Sequence, residues 1–211
     1  MNNKEEPDII PEQETGKETN TEFTLSALTR EEAQKIYKAA SNRLLDINNW
    51  EKLCGIATAD FQLTDKLGTE IKRNAAEGDH FKIDIPGPGS IEGRGFDWVR
   101  IEKIEEKIDC DKDFESLSMR VRPAPNPKTS GNEVAHFFNE HATSSFIVER
   151  HGSSVKAGVY GRNEKPNTII KNLVDKARNA LIAASALAGI SSIQWQHLSK
   201  GLLENIPVNK K

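Results

Sequence analysis

A six-residue segment near the middle of the chain carries charged side chains beside an aromatic one. It runs Asp97-Trp98-Val99-Arg100-Ile101-Glu102. If Asp97 or Glu102 faces the interior, the carboxylate can act as a general base while Arg100 stabilises an enolate oxygen. The competing interpretation is a solvated outer face, because charged side chains are seldom buried without a partner. Which interpretation holds depends on which of these side chains face the interior.

Two histidines and two glutamates further along the chain resemble metal ligands in type. They are His136, His141, Glu133 and Glu140, and imidazole with carboxylate suits zinc or iron. Their spacing lacks the HExxH pattern that places two ligands on one helical face. We therefore interpret these histidines as surface or hydrogen-bonding residues and predict no metal.

The glycines between Gly87 and Gly95 invite comparison with a phosphate-binding loop. Such a loop precedes a helix and usually ends in Lys followed by Ser or Thr. Here a strand pattern follows, and Arg94 is the only basic residue in the stretch. We predict a plain turn and no bound cofactor.

The elements that position these residues are predicted to be β-strands in the middle of the chain. Apolar residues alternate with polar ones in most of them, as in half-buried strands. The Phe96–Ile101 segment has apolar residues on both faces, so it is either buried on both sides or lines a cavity. The predicted strands are Phe81–Ile85, Phe96–Ile101, Leu117–Val121, Val134–Phe138 and a hairpin from Phe146 to Val159 that turns at His151-Gly152-Ser153.

Helices are predicted on both sides of the strands. Thr29 followed by Glu32 is a capping box, and an amphipathic stripe follows it to Ile47. A long Ala-rich helix is predicted from about Thr168, with a break at Gly189. An apolar pattern that includes Trp195 then resumes and continues to about residue 204.

Composition excludes several classes of protein. The 211 residues are 36% hydrophobic and 29% charged, with a formal charge of −3, which gives no reason to expect a nucleic-acid partner. We find no apolar run long enough to span a bilayer and no signal-peptide pattern at the start, so we expect a cytoplasmic protein. Residues 1–22 are acidic and polar, and we predict a disordered, dispensable tail there, a single domain over 23–205 and a flexible terminus over 206–211.

The order of these elements, together with Trp50 and the Gly87–Gly95 turn, resembles the START-like superfamily of helix-grip proteins. That superfamily includes polyketide cyclases, pollen-allergen relatives and lipid-transfer domains, and the likeness covers roughly residues 23–203. The resemblance implies an α+β fold in which a curved antiparallel sheet wraps around a long C-terminal helix. It also implies an apolar cavity under that helix, used in the superfamily for lipids, sterols, hormones or polyketides and only sometimes for catalysis.

Three functions remain open from the sequence. The first is non-catalytic binding of a small apolar or amphipathic molecule between sheet and helix. The second is a cyclase-like or hydrolase-like enzyme that uses Asp97, Arg100 or Glu102. The third is an interaction protein with a filled core, whose exposed Trp195 helix docks a partner. The predicted ligand-binding residues are Phe81, Phe96, Trp98, Met119, Phe146, Leu173 and Ala177.

Overall fold

Seven strands form one antiparallel sheet in a computed structural model that describes residues 7–54, 59–85, 93–167 and 192–207. The spatial order is β1-β7-β6-β5-β4-β3-β2, so the first strand pairs with the last. The strands are β1 (Lys17–Ser26), β2 (Asp60–Thr64), β3 (His80–Asp84), β4 (Asp97–Asp109), β5 (Phe114–Pro123), β6 (Thr143–His151) and β7 (Ser154–Glu164).

The helices are α1 (Arg30–Leu45), a 3-10 turn (Ile47–Asn49), α2 (Trp50–Cys54) and a helical segment over residues 192–203, called α3. The N-cap predicted at Thr29 is confirmed, since the Glu32 N–H donates to Thr29 Oγ1 at 3.1 Å. This bond satisfies an N–H group that a helix start would otherwise leave unpaired. The Glu32 carboxylate accepts from the Leu28 N–H at 2.9 Å, one residue before the N–H that it accepts in a capping box.

The helices cover one face of the sheet, which we call the inner face; the opposite one is the outer face. Alternation along each strand assigns side chains to these faces, since neighbouring residues point in opposite directions. A bulge between Ile101 and Lys103 interrupts the β4–β5 register, and such bulges bend a strand. The inner core includes Leu44, Trp50, Phe81, Val99, Ile101, Met119, Phe146, Val159, Leu198 and Leu202.

The predicted α+β class and helix-grip fold are confirmed: a curved antiparallel sheet carries a C-terminal helix. Four of the predicted strands correspond to β3, β4, β5 and the β6–β7 hairpin, in which His151 pairs with Ser154. The predicted strand from Val134 to Phe138 is wrong. That segment makes one isolated bridge, between Phe138 and Pro166, because its backbone groups bond to other loops.

The predicted disordered tail over residues 1–22 is also wrong in its extent. Strand β1 begins at Lys17, and its backbone pairs with β7 although most of its side chains are polar. Before it, Ile9 and Ile10 are buried on the outer face against Ile147 and Tyr160. An edge strand is held by main-chain hydrogen bonds, so its polar composition did not reveal it.

The C-terminal part is described only in pieces. The long helix predicted from Thr168 cannot be compared with the structure over residues 168–191, because they lie outside the described residues. The apolar pattern predicted to resume around Trp195 is the helix α3, with Leu198 and Leu202 buried in the inner core. Ile206, which the prediction placed in a flexible terminus, packs against that core.

Candidate functional site

A cavity of about 40 Å³ lies on the inner face, between strands β2 to β6, helix α3 and residues 136–138. We call residues 134–138, which close one side of this cavity, the rim. Most of the lining is apolar or aromatic. The lining residues are Phe61, Phe81, Ile83, Ile85, Val99, Val121, His136, Phe137, Phe138, Ser144, Phe146, Gln194 and Trp195.

The aromatic rings of the lining form the floor of the cavity and pack on the fully buried Trp50, which is not itself part of the lining. The Trp50 ring lies 4.9 Å from Phe146 and 5.7 Å from Phe81, and 6.4 Å from Trp195 in an edge-on arrangement. Trp195 is itself 5.2 Å from Phe146, again edge-on. Such pairs contribute roughly 0.5–1.5 kcal/mol each beyond the area they bury, so this floor is well packed.

The rim is fixed by hydrogen bonds of its backbone to three other parts of the chain. The Ala135 N–H donates to the Ala124 carbonyl at 3.1 Å, and the Trp98 N–H donates to the Ala135 carbonyl at 2.7 Å. Asn167 donates from its backbone N–H to Phe137 O, and from its side-chain amide to Val134 O and His136 O. The rim therefore has a defined conformation although it is not a strand.

His136 is the buried polar side chain of the rim. Its Nδ1 accepts the Phe138 N–H at 2.9 Å, and its ring stacks on Phe137 with a centroid distance of 4.4 Å. Burial lowers the pKa of His136 to about 3, so the imidazole is neutral around neutral pH. Because Nδ1 is the acceptor, the single ring proton resides on Nε2.

Asp97 lies on the inner face at the start of β4, opposite Ile83 in the register. It is buried, and burial raises its pKa to about 7; the nearby Phe137 backbone N–H offsets part of that rise. Its carboxyl group therefore lies under the rim, next to the cavity. It is absent from the cavity lining.

The other two catalytic candidates point away from the cavity. Arg100 and Glu102 are on the outer face, where Glu102 forms ion pairs with Arg120 and Arg122 that hold its pKa below its usual range, against the effect of burial. Arg100 is exposed. The grouping predicted from their spacing is therefore wrong, because alternate residues of a strand face opposite sides.

Only some of the predicted ligand-binding residues that the structure describes line the cavity. Phe81 and Phe146 line the cavity, whereas Met119 is buried in the inner core without reaching it. Phe96 and Trp98 do not line the cavity, so the prediction that they contact a ligand there is corrected. Leu173 and Ala177 lie outside the described residues.

Trp98 packs behind the sheet, and its indole N–H donates to the Gly93 carbonyl at 3.3 Å. The ring of Phe96 carries the Lys82 ammonium 4.5 Å above it. Both belong to the side of β3 and β4 on which Lys82 forms an ion pair with Glu70. An open polar groove of about 330 Å³ lies there, and Phe96 is part of its lining.

Sequence reasoning missed several residues of the cavity. Phe137 and Phe138 were assigned to a strand, although the His-Phe-Phe run lacks the alternation of apolar and polar residues that indicates a half-buried strand. Trp195 was predicted to be exposed in the interaction-protein alternative, but it is half-buried against the floor. The 3.6-residue spacing of Trp195 with Leu198 and Leu202 places all three on one helical face and could have indicated this.

No helix in the described ranges is long and apolar enough to cross a membrane. Within the same ranges, no group of three or more His, Cys, Asp or Glu residues is arranged to hold a metal ion.

No protein-family model matches this chain, and no curated protein matches it. Several solved structures are similar. Norcoclaurine synthase from Thalictrum flavum is 13% identical, with a TM-score of 0.39 and coverage of 89% of this chain and 94% of that one. Ginseng major latex-like protein 151 from Panax ginseng is also 13% identical, with a TM-score of 0.33 and coverage of 86% and 99%. Ara h 8.0201 is 15% identical, with a TM-score of 0.30 and coverage of 87% and 99%.

The α+β class that the START-like resemblance implies is carried by the described sheet and helices themselves. With TM-scores of 0.30 to 0.39, the likeness supports no statement about a ligand or a reaction.

Proposed function

We propose that this protein binds a small aromatic or amphipathic molecule, without catalysis, in the cavity between the sheet, the rim and α3. The observation that carries the proposal is the lining: aromatic rings of β2, β3, β6, the rim and α3 converge on one space with only a few polar groups among them. Ligand sites in proteins commonly combine apolar walls with a few polar groups that orient the guest.

The size of the cavity determines how a guest enters. A volume of about 40 Å³ is far below the roughly 300–1,000 Å³ of pockets for drug-sized ligands. A guest must therefore displace lining side chains outward. Phe137 and Phe138 are the half-buried rings of the rim, and we propose that they move when a guest enters.

Placement of the charged residues favours binding over catalysis. Of the three catalytic candidates, only Asp97 faces inward, and the arginine that would stabilise an enolate oxygen is on the other face. The interaction-protein alternative is also less well supported, because Trp195 contacts Trp50 and Phe146 and is not an exposed anchor. The cytoplasmic location expected from the sequence stays a prediction.

The proposal is tested with 8-anilinonaphthalene-1-sulfonate, whose fluorescence rises in an apolar site, followed by fatty acids, sterols and aromatic polyketides as competitors. We expect saturable binding, displacement by at least one competitor class, and a melting temperature that rises with the concentration of that competitor. A lack of saturable binding by the dye and by every competitor would refute the proposal.

Two matched variants locate the site. Phe137→Ala removes a half-buried ring from the rim, and Phe96→Ala removes a half-buried ring that lines the polar groove instead. We expect the first variant to change the dye affinity at least several-fold and the second to leave it unchanged. The reverse pattern would place the bound dye in the groove.

A further inference from the structure

The outer face of the sheet carries a groove that is filled by the chain's own residues 7–15, which we call the strap. The strap runs across the strands from Lys107 on β4 to Asn163 near the end of β7. An apolar cluster separate from the inner core lies between these two points. It consists of Ile9, Ile10, Ile147 and Tyr160.

The floor of the groove is built by the sheet. Gly158 lies opposite Ile147 on the neighbouring strand, and a methyl group added there would come within 2.9 Å of the Tyr160 ring. The absence of a side chain at Gly158 therefore leaves room for the Tyr160 ring beside Ile147. The strap covers this floor with Ile9, which is fully buried, and Ile10, which is 8% exposed.

The strap is held largely through main-chain groups that any peptide offers. The Ile9 carbonyl accepts from Ser145 Oγ at 3.2 Å and from the Arg120 guanidinium at 3.4 Å. The Asn163 side chain bonds to one carbonyl and two N–H groups of residues 12–15, at 2.8–3.0 Å. Main-chain hydrogen bonds combined with places for particular side chains are the means by which protein domains recognise extended peptides.

The charges of the strap and of the groove are complementary. The strap contains Asp8, Glu12 and Glu14 and no basic residue. Lys107 Nζ lies 2.9 Å from Asp8 Oδ2, and together with Lys103 it holds the pKa of Asp8 below its usual range. The groove therefore fits an extended acidic segment in which an acidic residue precedes two adjacent aliphatic residues.

We propose that this groove is a docking site for an acidic segment of that kind in a partner protein, and that the strap is its intramolecular occupant. The strap can leave without opening the sheet, because it precedes β1, and β7 remains paired with β1 and β6. A partner must compete with an effective strap concentration in the millimolar range, as for other short linkers. The groove is on the face opposite the inner cavity, so the proposal is independent of the proposed function.

The test measures the fluorescence anisotropy of a fluorescein-labelled peptide with the sequence of residues 7–15, added to the full-length protein. Ile9→Asp combined with Ile10→Asp releases the strap, because burying two carboxylates against apolar side chains is strongly unfavourable. We expect this double variant to bind the peptide saturably and at least about tenfold more tightly than the unaltered protein, whose groove is filled. Glu14→Ala, at an exposed side chain of the strap, should bind the peptide as weakly as the unaltered protein.

Two comparisons locate the bound peptide. A peptide in which serine replaces both isoleucines should not bind the double variant. Lys107→Gln, added to the double variant, should weaken binding about two- to fivefold through the loss of a partly exposed ion pair, whereas Lys112→Gln at the tip of the β4–β5 hairpin should not. Equal binding of the two peptides, or no effect of Lys107→Gln, overturns the proposal.

If the double variant does not fold, the unaltered protein decides. Unlabelled peptide at millimolar concentration should displace part of the strap and move the backbone amide signals of Ile9 and Ile10 in nitrogen-15 spectra toward those of an unfolded segment. Amide signals that stay unchanged, or a folded double variant that does not bind the peptide, overturn the proposal and leave the proposed function intact.

Discussion

At the scale of single residues, the inward carboxyl of Asp97 makes the free energy of unfolding depend on pH. Its pKa is raised from 3.8 to about 7, chiefly by burial. Between these values the unfolded chain has lost the proton and the native protein keeps it. The native state therefore binds more protons in this range, and the free energy of unfolding falls as the pH rises from about 4 to about 7.

Replacing Asp97 by Asn removes this titration and keeps a side-chain oxygen near Phe137. We expect Asp97→Asn to be more stable than the unaltered protein at pH 8, by up to about 4 kcal/mol, and to differ little at pH 4. Urea unfolding at the two pH values measures the difference. Asp84→Asn, at an exposed position on β3, is the control and should show no such dependence. A stability gain that is the same at both pH values would contradict the prediction.

At the scale of elements, the segment before β1 is an integral part of the sheet's outer face. The Ile9 carbonyl accepts from Ser145 Oγ at 3.2 Å, and the side chain of Ile9 is fully buried. Further along, Asn163 Oδ1 accepts the backbone N–H groups of Glu14 and Thr15 at 2.8 and 3.0 Å. These contacts tie residues 9–15 to β6 and β7.

Residues 9–15 are therefore expected to contribute to stability, contrary to the prediction that the first twenty residues are dispensable. Ile9→Ala should lower the free energy of unfolding by about 2–4 kcal/mol, because a buried aliphatic side chain is lost. Glu14→Ala should cost less than about 0.5 kcal/mol, since its side chain is exposed and its bonded N–H is retained. Chemical denaturation of both variants tests the pair, and equal small losses would show that the segment is only loosely attached.

At the scale of the whole molecule, the position of α3 depends on a close approach between distant parts of the chain. A methyl group added at Gly201 would overlap the carbonyl oxygen of Leu53, at the end of α2. The Arg43 guanidinium also donates to the carbonyls of Gly201, Leu202 and Glu204, which fixes the end of α3 to α1. This docking places Trp195 against the floor of the cavity.

Gly201→Ala should destabilise the protein by about 1–3 kcal/mol, although alanine favours a helix over glycine, because the added methyl forces the two segments apart. The same variant should change the affinity for 8-anilinonaphthalene-1-sulfonate, since α3 contributes Gln194 and Trp195 to the cavity. Lys200→Ala, at the exposed neighbouring position, should change neither quantity. A stabilised Gly201→Ala variant would mean that the two helices are not in contact.

The sequence by itself determined the elements with a local physical cause. The Thr29 N-cap, the alternation in β3 and β5 and the β6–β7 turn depend on residues close together in the chain, so spacing predicted them. The part of strand β1 before Phe23 and the buried Ile9 were missed because their stability comes from partners more than 130 residues away.

The candidate site was decided mainly by the tertiary structure. Alternation was visible at Asp97, Arg100 and Glu102, but the sequence did not say which face was inside, and only the covering helices settle that. The rim depends on Ala124 and Asn167, which lie on either side of it in the chain and meet it only in the folded protein. Backbone hydrogen bonds made between loops leave no periodic pattern in a sequence, which is why the aromatic type of the cavity was predictable and the rim that closes it was not.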